Sequence, residues 1–248
     1  MCARRQGGST PRAGLSYALN LRGAGPSRPL SRGRYHAGRT EDLPAALQAL
    51  PPGLLRRGVV LVGHSLGGNL ILKFLGEGAG NLPVLGGAVV STPLDLAETC
   101  VRMLAPRNVV YQRYLLSEMK REAIAPGAAL SAAQRAIVAG ARSVFEFDDR
   151  FVAPLFGYRD AEDYYQSNSA RAFLSGIALP TLIVHVLDDP LVPRSCYDAV
   201  DWARLPTIAA ALSPHGGHLG FHGVGSHIPW HDRLVSAWLR ERFAQERD

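Results

Sequence analysis

The sequence predicts an α/β fold: a mostly parallel sheet flanked by helices, with a helical insertion late in the alternation. Three observations carry this. Strand-like runs of four to six residues recur at residues 17–21, 59–62, 86–91, 182–187 and 207–212, the one at 59–62 being wholly apolar and rich in β-branched residues. Helical patterns separate several of them, as right-handed crossovers between parallel strands require. The run at 59–62 also passes through Gly63-His64-Ser65-Leu66-Gly67 straight into the helical pattern 70–75.

Along the chain, residues 1–14 have the composition of a disordered basic leader, and residues 15–248 read as the α/β domain. Residues 17–21 form the first predicted strand. A short helix covers residues 43–50, with Thr40 as its expected N-cap and Pro51-Pro52 stopping it. The strand at 59–62 and the helix beginning near Leu66 follow, then the strand at 86–91. Residues 92–170 break the alternation with amphipathic helical patterns at 110–124 and 131–144, the position of a cap. Seven aromatic residues gather between Phe145 and Tyr165, either as an apolar wall over a pocket or as packing of the cap on the core. Among them, Asp148, Asp149 and Arg150 are expected as ion pairs or caps.

Gly-x-Ser-x-Gly between a strand and a helix is the nucleophile-elbow pattern. A serine on so sharp a turn holds a strained backbone, and side chains two residues away on either side are expected to clash, hence Gly63 and Gly67. The following helix directs free amides and the positive end of its dipole at the reacting centre, and the Leu66 amide is the expected oxyanion donor. An activated serine needs a base, and the base an orienting acid, in the chain order Ser, Asp, His. Asp188-Asp189-Pro190 follows the strand at 182–187, where parallel sheets place their chemistry. Asp189 is preferred because it leads into the turn ending at Pro193; Asp188 is the alternative, otherwise a loop residue. After the last strand comes Pro214-His215-Gly216-Gly217-His218, whose glycines let the loop fold back and bring His218 to Ser65, with His215 and His222 as competitors. His227 and His231 add to this histidine-rich region, but no His-Glu-x-x-His helix and no cysteine pair accompany them, so no metal is expected.

These segments resemble the YheT-like branch of the α/β-hydrolases over about residues 20–243. The resemblance is carried by Asn20-Leu21-Arg22-Gly23, Tyr35-His36-Ala37-Gly38-Arg39-Thr40-Glu41-Asp42, Gly63-His64-Ser65-Leu66-Gly67-Gly68-Asn69, Phe147-Asp148-Asp149-Arg150, Asp163-Tyr164-Tyr165 and Gly216-Gly217-His218-Leu219-Gly220-Phe221. It implies an α/β-hydrolase fold and a serine enzyme that cleaves carboxylic esters of the acyl-glycerol, phospholipid or short-chain class. Ser65, one of the paired aspartates and His218 would act through an acyl-enzyme, without metal or organic cofactor. The branch also carries earlier strands and a His-Gly loop that supplies a second oxyanion amide, and neither precedes residue 17 here. The resemblance therefore implies an N-terminally shortened fold with a gap and unpaired edges beside the strand at 59–62. Loss of one oxyanion donor costs about 3–4 kcal/mol in the transition state. A catalytically silent fragment and an acyltransferase are the rival readings.

Composition narrows the partners. The net charge of +6 is concentrated in residues 1–40, which hold eight arginines and no acid; the remainder carries 19 basic against 21 acidic side chains, so no nucleic-acid partner is expected. The leader has the composition of a transit peptide, but the fold begins too soon after it for cleavage to spare the sheet. No apolar run approaches the ~20 residues of a membrane span. A cytoplasmic protein is expected, acting on a small-molecule or lipid ester with peripheral membrane contact allowed. Cys2, Cys100 and Cys196 are expected as free thiols.

Overall fold

The computed structural model describes residues 3–6 (as backbone), 15–223 and 225–243. β1 (Ala3–Gln6) and β2 (Ser16–Leu19) form an antiparallel ribbon with Ala3 opposite Leu19. β1 thus falls inside the stretch expected as a leader; residues 1–2 and 7–14 of that stretch, Cys2 included, lie outside the described residues. After α1 (Asp42–Gln48) and α2 (Pro52–Leu55) comes β3 (Val59–His64), which opens a parallel sheet. Then follow α3 (Leu66–Glu77) and β4 (Val84–Val90), and later β5 (Thr181–Val186) and β6 (Ile208–Ser213). The sheet order is β3-β4-β5-β6, with Val62 beside Ala88, Ala88 beside Leu182, and Leu182 beside Ala209.

Alternation along the strands divides the core between two faces. Val89 and Ile183 pack with Leu70, Ile71, Phe74 and Leu75 of α3. Ala88, Val90, Leu182 and Val184 pack on the opposite face with Val235 and Trp238 of α11 (Trp230–Phe243); α10 (Ser195–Asp198) precedes β6. Because β2 pairs with β1, β3 is an edge strand among the described residues, and Val62 is 46% exposed.

Between β4 and β5 stand α4 (Leu96–Leu104), α5 (Val109–Ile124), α6 (Ala132–Gly140), α7 (Val144–Phe147), a π-helical turn Asp148–Val152, α8 (Ala153–Leu155) and α9 (Ala161–Asn168). Local chemistry sets their starts. Asp95 accepts from the Glu98 amide (2.9 Å) at α4, and Ser131 and Gln134 form a reciprocal capping box at α6.

Three expectations need correction. The helix expected over 131–144 is two helices, because the backbone leaves helical geometry at Ala141 (ψ 131°) after Gly140, and Ser143 then caps α7, accepting from the Glu146 amide (3.0 Å). Thr40 does not cap α1; its hydroxyl donates to Glu77 Oε2 (2.6 Å), and Glu41 occupies the cap without a side-chain bond. Asp149 caps as expected, accepting from the Ala161 amide (3.0 Å), but Asp148 and Arg150 form no ion pair among the described residues.

Candidate active site

The turn from β3 into α3 carries Ser65 with φ 49° and ψ −122°, a strained conformation for a residue with a side chain. Surrounding bonds hold the strain: the Ser65 amide donates to the Val90 carbonyl (2.9 Å), and its own carbonyl accepts from Gly68 (2.9 Å) and Asn69 (3.2 Å). Gly63 is sterically required, since a Cβ there would lie 2.6 Å from the Gly67 carbonyl oxygen. Gly67 is not, which corrects the symmetrical expectation: a Cβ there meets nothing within 4 Å. The tight position lies one residue later, where a Cβ on Gly68 would sit 2.0 Å from Thr92 Oγ1. Leu66 is the first residue of α3, so its amide has no acceptor within the helix.

His218 Nε2 lies 3.1 Å from Ser65 Oγ, and His218 Nδ1 lies 2.8 Å from Asp189 Oδ2. The loop that delivers His218 turns through Gly217 at φ +79°, and Gly216 packs so closely on Phe221 that a Cβ would sit 2.7 Å from the ring-bearing carbon. Asp189, 1% exposed, follows β5 and is fixed through Oδ1, which accepts from the amides of Leu191 (2.8 Å) and Val192 (3.0 Å). Asp188 points elsewhere. Its Oδ1 accepts from Gly216 (2.9 Å) and Gly217 (3.0 Å), and His215 Nδ1 is 3.3 Å from its Oδ2. The Gly217 amide, with Gly216 and His215, holds its carboxyl below the usual range. One aspartate meets the imidazole, and its neighbour staples the loop that carries the imidazole.

The remaining histidines do not converge on Ser65. His222 and His227 are exposed, while His231 lies with His64 and Asp232 so that their ligating atoms fall within 4.8 Å. His64 and Asp232 of that group are exposed side chains. His185, fully buried on β5, stacks on Tyr197 at 3.8 Å with its Nδ1 4.0 Å from Asp189 Oδ2. Burial pushes its pKa down to about 4, so it packs there as a neutral ring.

Ser65, Leu66 and His218 border a cavity of about 360 Å³, otherwise walled mostly by apolar side chains from the helical insertion. Of the aromatic group, Phe147, Phe151, Phe156, Tyr164 and Tyr165 reach this cavity, whereas Phe145 is exposed. Two residues to which sequence reasoning gave no part in the site belong to it, Asn69 as a tie and Asp148 as part of the cavity wall. Asn69, wholly buried, donates to the carbonyls of Ala37 (3.1 Å) and Asn168 (2.9 Å) and accepts from the Ala170 amide (2.8 Å). It ties the serine helix to the loop at 35–38 and to the end of the insertion; its place directly after Gly67-Gly68 was the available signal. Asp148 lies in the cavity wall itself, and its signal was a carboxylate between buried phenylalanines.

Comparison with known proteins agrees with this architecture. A family profile described as "alpha/beta hydrolase fold" matches residues 16–223. "Putative esterase YheT" of Escherichia coli is 34% identical over 92% of this chain and 68% of its own length. "Phospholipase ABHD3" of Mus musculus is 29% identical over 82% of this chain, which spans only 50% of that protein. The solved structure of the Pyrococcus furiosus esterase Pf2001 superposes with a TM-score of 0.56 at 16% identity, covering 92% of this chain and 70% of that one, a likeness of fold alone. Among the described residues no helix is long and apolar enough to cross a membrane. With its parallel sheet, serine turn and helical insertion, the chain belongs to the α/β-hydrolase fold family and is related to bacterial esterases such as YheT.

Proposed function

We propose that this chain is a serine hydrolase of carboxylic esters, acting on acyl esters of the glycerolipid or short-chain class. The observation that carries the reading is the continuous contact from Asp189 through His218 to Ser65 at the edge of an apolar cavity. His218 Nε2 removes the hydroxyl proton as Ser65 Oγ attacks the ester carbonyl, and Asp189 keeps the other ring nitrogen protonated and stabilises the imidazolium. The Leu66 amide donates to the oxyanion. Collapse of the tetrahedral intermediate passes the proton from His218 to the leaving alcohol, and water then releases the acyl group by the same steps. The insertion acts as a cap over the acyl chain. Names carried by relatives agree with the substrate class, an esterase in one and a phospholipase in another.

Labelling with a fluorophosphonate probe tests this. The purified chain is expected to label, and Ser65→Ala to lose all labelling while unfolding as cooperatively as the wild type. A folded wild-type chain that neither labels nor turns over p-nitrophenyl esters would overturn the reading in favour of a silent hydrolase fold.

A further inference from the structure

Resting on that acyl-ester reading, we propose that Asp148 donates a hydrogen bond from the cavity wall to an oxygen on the acyl chain, so that the site prefers oxo- or ether-bearing acyl esters over plain hydrocarbon ones. Asp148 opens the π-helical turn between α7 and α8, a widened turn of the kind common at functional sites. It is only 8% exposed and borders the cavity shared by Ser65 and His218. The Tyr165 hydroxyl donates to its Oδ2 at 2.8 Å, whereas Oδ1 has no hydrogen-bond partner among the described residues. Holding Tyr165 needs one acceptor. The second oxygen is left for something that enters the cavity.

The surroundings make that oxygen a donor. The titratable groups that face Asp148 are Tyr164 and Tyr165 of α9, Tyr35 of the loop across the cavity, and Cys100 of α4. Burial pushes the Tyr35 phenol up to about 12 and the Cys100 thiol up to about 11, so these neighbours are neutral. The charged groups of adjoining turns are occupied or turned outward. Asp149 accepts from the Ala161 amide, Glu146 accepts from the Arg142 amide and donates its own amide to the Ser143 hydroxyl, and Arg135 and Arg150 are exposed. Arg34 donates to the carbonyls of Glu122 and Ala123 and lies over the Phe151 ring, forming no ion pair with Asp148. Arg28 and Arg34 border the same cavity but form no ion pair with Asp148 among the described residues, and burial raises its carboxyl to about 7. The neutral Cys100 thiol, with Sγ 3.3 Å from the Tyr165 hydroxyl oxygen, donates to that oxygen and leaves the single hydroxyl proton to the nearer Oδ2, so the Asp148 proton belongs on Oδ1. A hydrocarbon chain lying against it leaves that O–H unpaired; an oxo or ether oxygen accepts from it.

The test separates this inference from the hydrolytic reading by measuring binding as well as turnover. In the Ser65→Ala background, where the ester is not consumed, calorimetry compares p-nitrophenyl decanoate with a series of its mono-oxo analogues from about pH 6 to about pH 8.5. At the low end at least one oxo position should bind roughly three- to tenfold tighter than decanoate, the span of one net hydrogen bond. That ratio should fall as pH rises through the Asp148 titration. Asp148→Asn, whose amide can accept from Tyr165 and donate into the cavity, should keep the ratio at every pH. Asp148→Leu should bring it to one or below. In Ser65-containing protein the kcat/KM ratio should follow the same pattern, since the His218 titration acts on both substrates and cancels. A ratio equal in wild type and Asp148→Leu at every oxo position overturns the proposal and leaves Asp148 as a support for Tyr165. A selective binding ratio without turnover or fluorophosphonate labelling would sustain the cavity's preference and overturn the hydrolase reading instead.

Discussion

Replacing Asp189 by Asn changes one atom in a carboxyl whose two oxygens have different duties. Oδ1 accepts from two amides, Leu191 and Val192, and Oδ2 accepts from His218 Nδ1. If the new amide nitrogen takes the Oδ1 place, it faces two N–H donors in a site that is 1% exposed, so that orientation is rejected. The nitrogen must take the Oδ2 place and donate to His218 Nδ1. This moves the ring proton to Nε2, the atom 3.1 Å from Ser65 Oγ, and the base becomes a donor toward the hydroxyl it should deprotonate. The tautomer error in a serine triad costs about 10⁴ in kcat. Asp188→Asn keeps an oxygen for Gly216 and Gly217 and alters only a contact with the exposed His215, so its kcat/KM should stay within about threefold of wild type. Initial rates on a p-nitrophenyl ester and pseudo-first-order labelling by a fluorophosphonate would measure both variants, with thermal unfolding to verify that each is folded. Equal losses in the two variants, or an Asp189→Asn enzyme within about tenfold of wild type, would refute the assignment.

Gly63→Ala forces a Cβ against the Gly67 carbonyl at 2.6 Å and should destabilise the chain by roughly 2 kcal/mol or more with loss of labelling, whereas Gly67→Ala should stay within about 1 kcal/mol of wild type by thermal unfolding. Asn69→Leu strands two buried carbonyls and one buried amide, and chemical denaturation should show a loss of roughly 3 kcal/mol or more. His185→Phe preserves the stack on Tyr197 but removes a ring whose pKa falls from 6.5 to about 4 on folding. The unfolded chain takes up that proton first, so the wild type keeps full stability above about 6.5 and loses it progressively as pH falls toward 4. Denaturation curves should show wild type losing roughly 2–3 kcal/mol relative to the variant across that window; parallel pH profiles would contradict it.

The parallel strands were legible because each reads as a short run of mostly apolar residues, although only β4 and β5 are buried on both faces. The run at 182–187 is the strand Thr181–Val186, and that at 207–212 is Ile208–Ser213. Partnership of β2 was not legible. Its mate, Ala3–Gln6, reads Ala-Arg-Arg-Gln and has neither apolar alternation nor β-branched residues to announce a strand. The break between α6 and α7 was hidden for a different reason. The amphipathic period continues across 131–144, but α6 ends at Gly140, Ala141 turns to an extended ψ of 131°, and the Ser143 hydroxyl, bonded to the Glu146 amide, starts a new helix. A single serine inside a helical pattern is equally consistent with a solvent-facing turn.

At the site, what could be read was what depends on local backbone chemistry. Ser65, Asp189 and His218 each sit just past the end of a strand, where turn residues betray the geometry, and their order along the chain restricts the pairing. The symmetric role expected of the two elbow glycines failed because crowding at a turn is decided by what packs there from elsewhere. The Gly67 carbonyl and Ile71 crowd Gly63, Thr92 crowds Gly68, and nothing crowds Gly67. Asp148 shows the same limit more sharply. Beside Asp149 and Arg150 it reads as one more member of a charged surface cluster, and two of those three do lie at or near the surface. Its different fate follows from one widened helical turn, which places its carboxyl with Tyr165 from a helix more than ten residues later and beside a cavity bordered by a serine more than eighty residues earlier. Burial without a paired cation raises its carboxyl to about 7, the condition on which the proposed donor role depends. The acyl-chain selection proposed for Asp148 therefore rests on tertiary contacts, while the geometry of the proposed Ser65, His218 and Asp189 triad rests on turns.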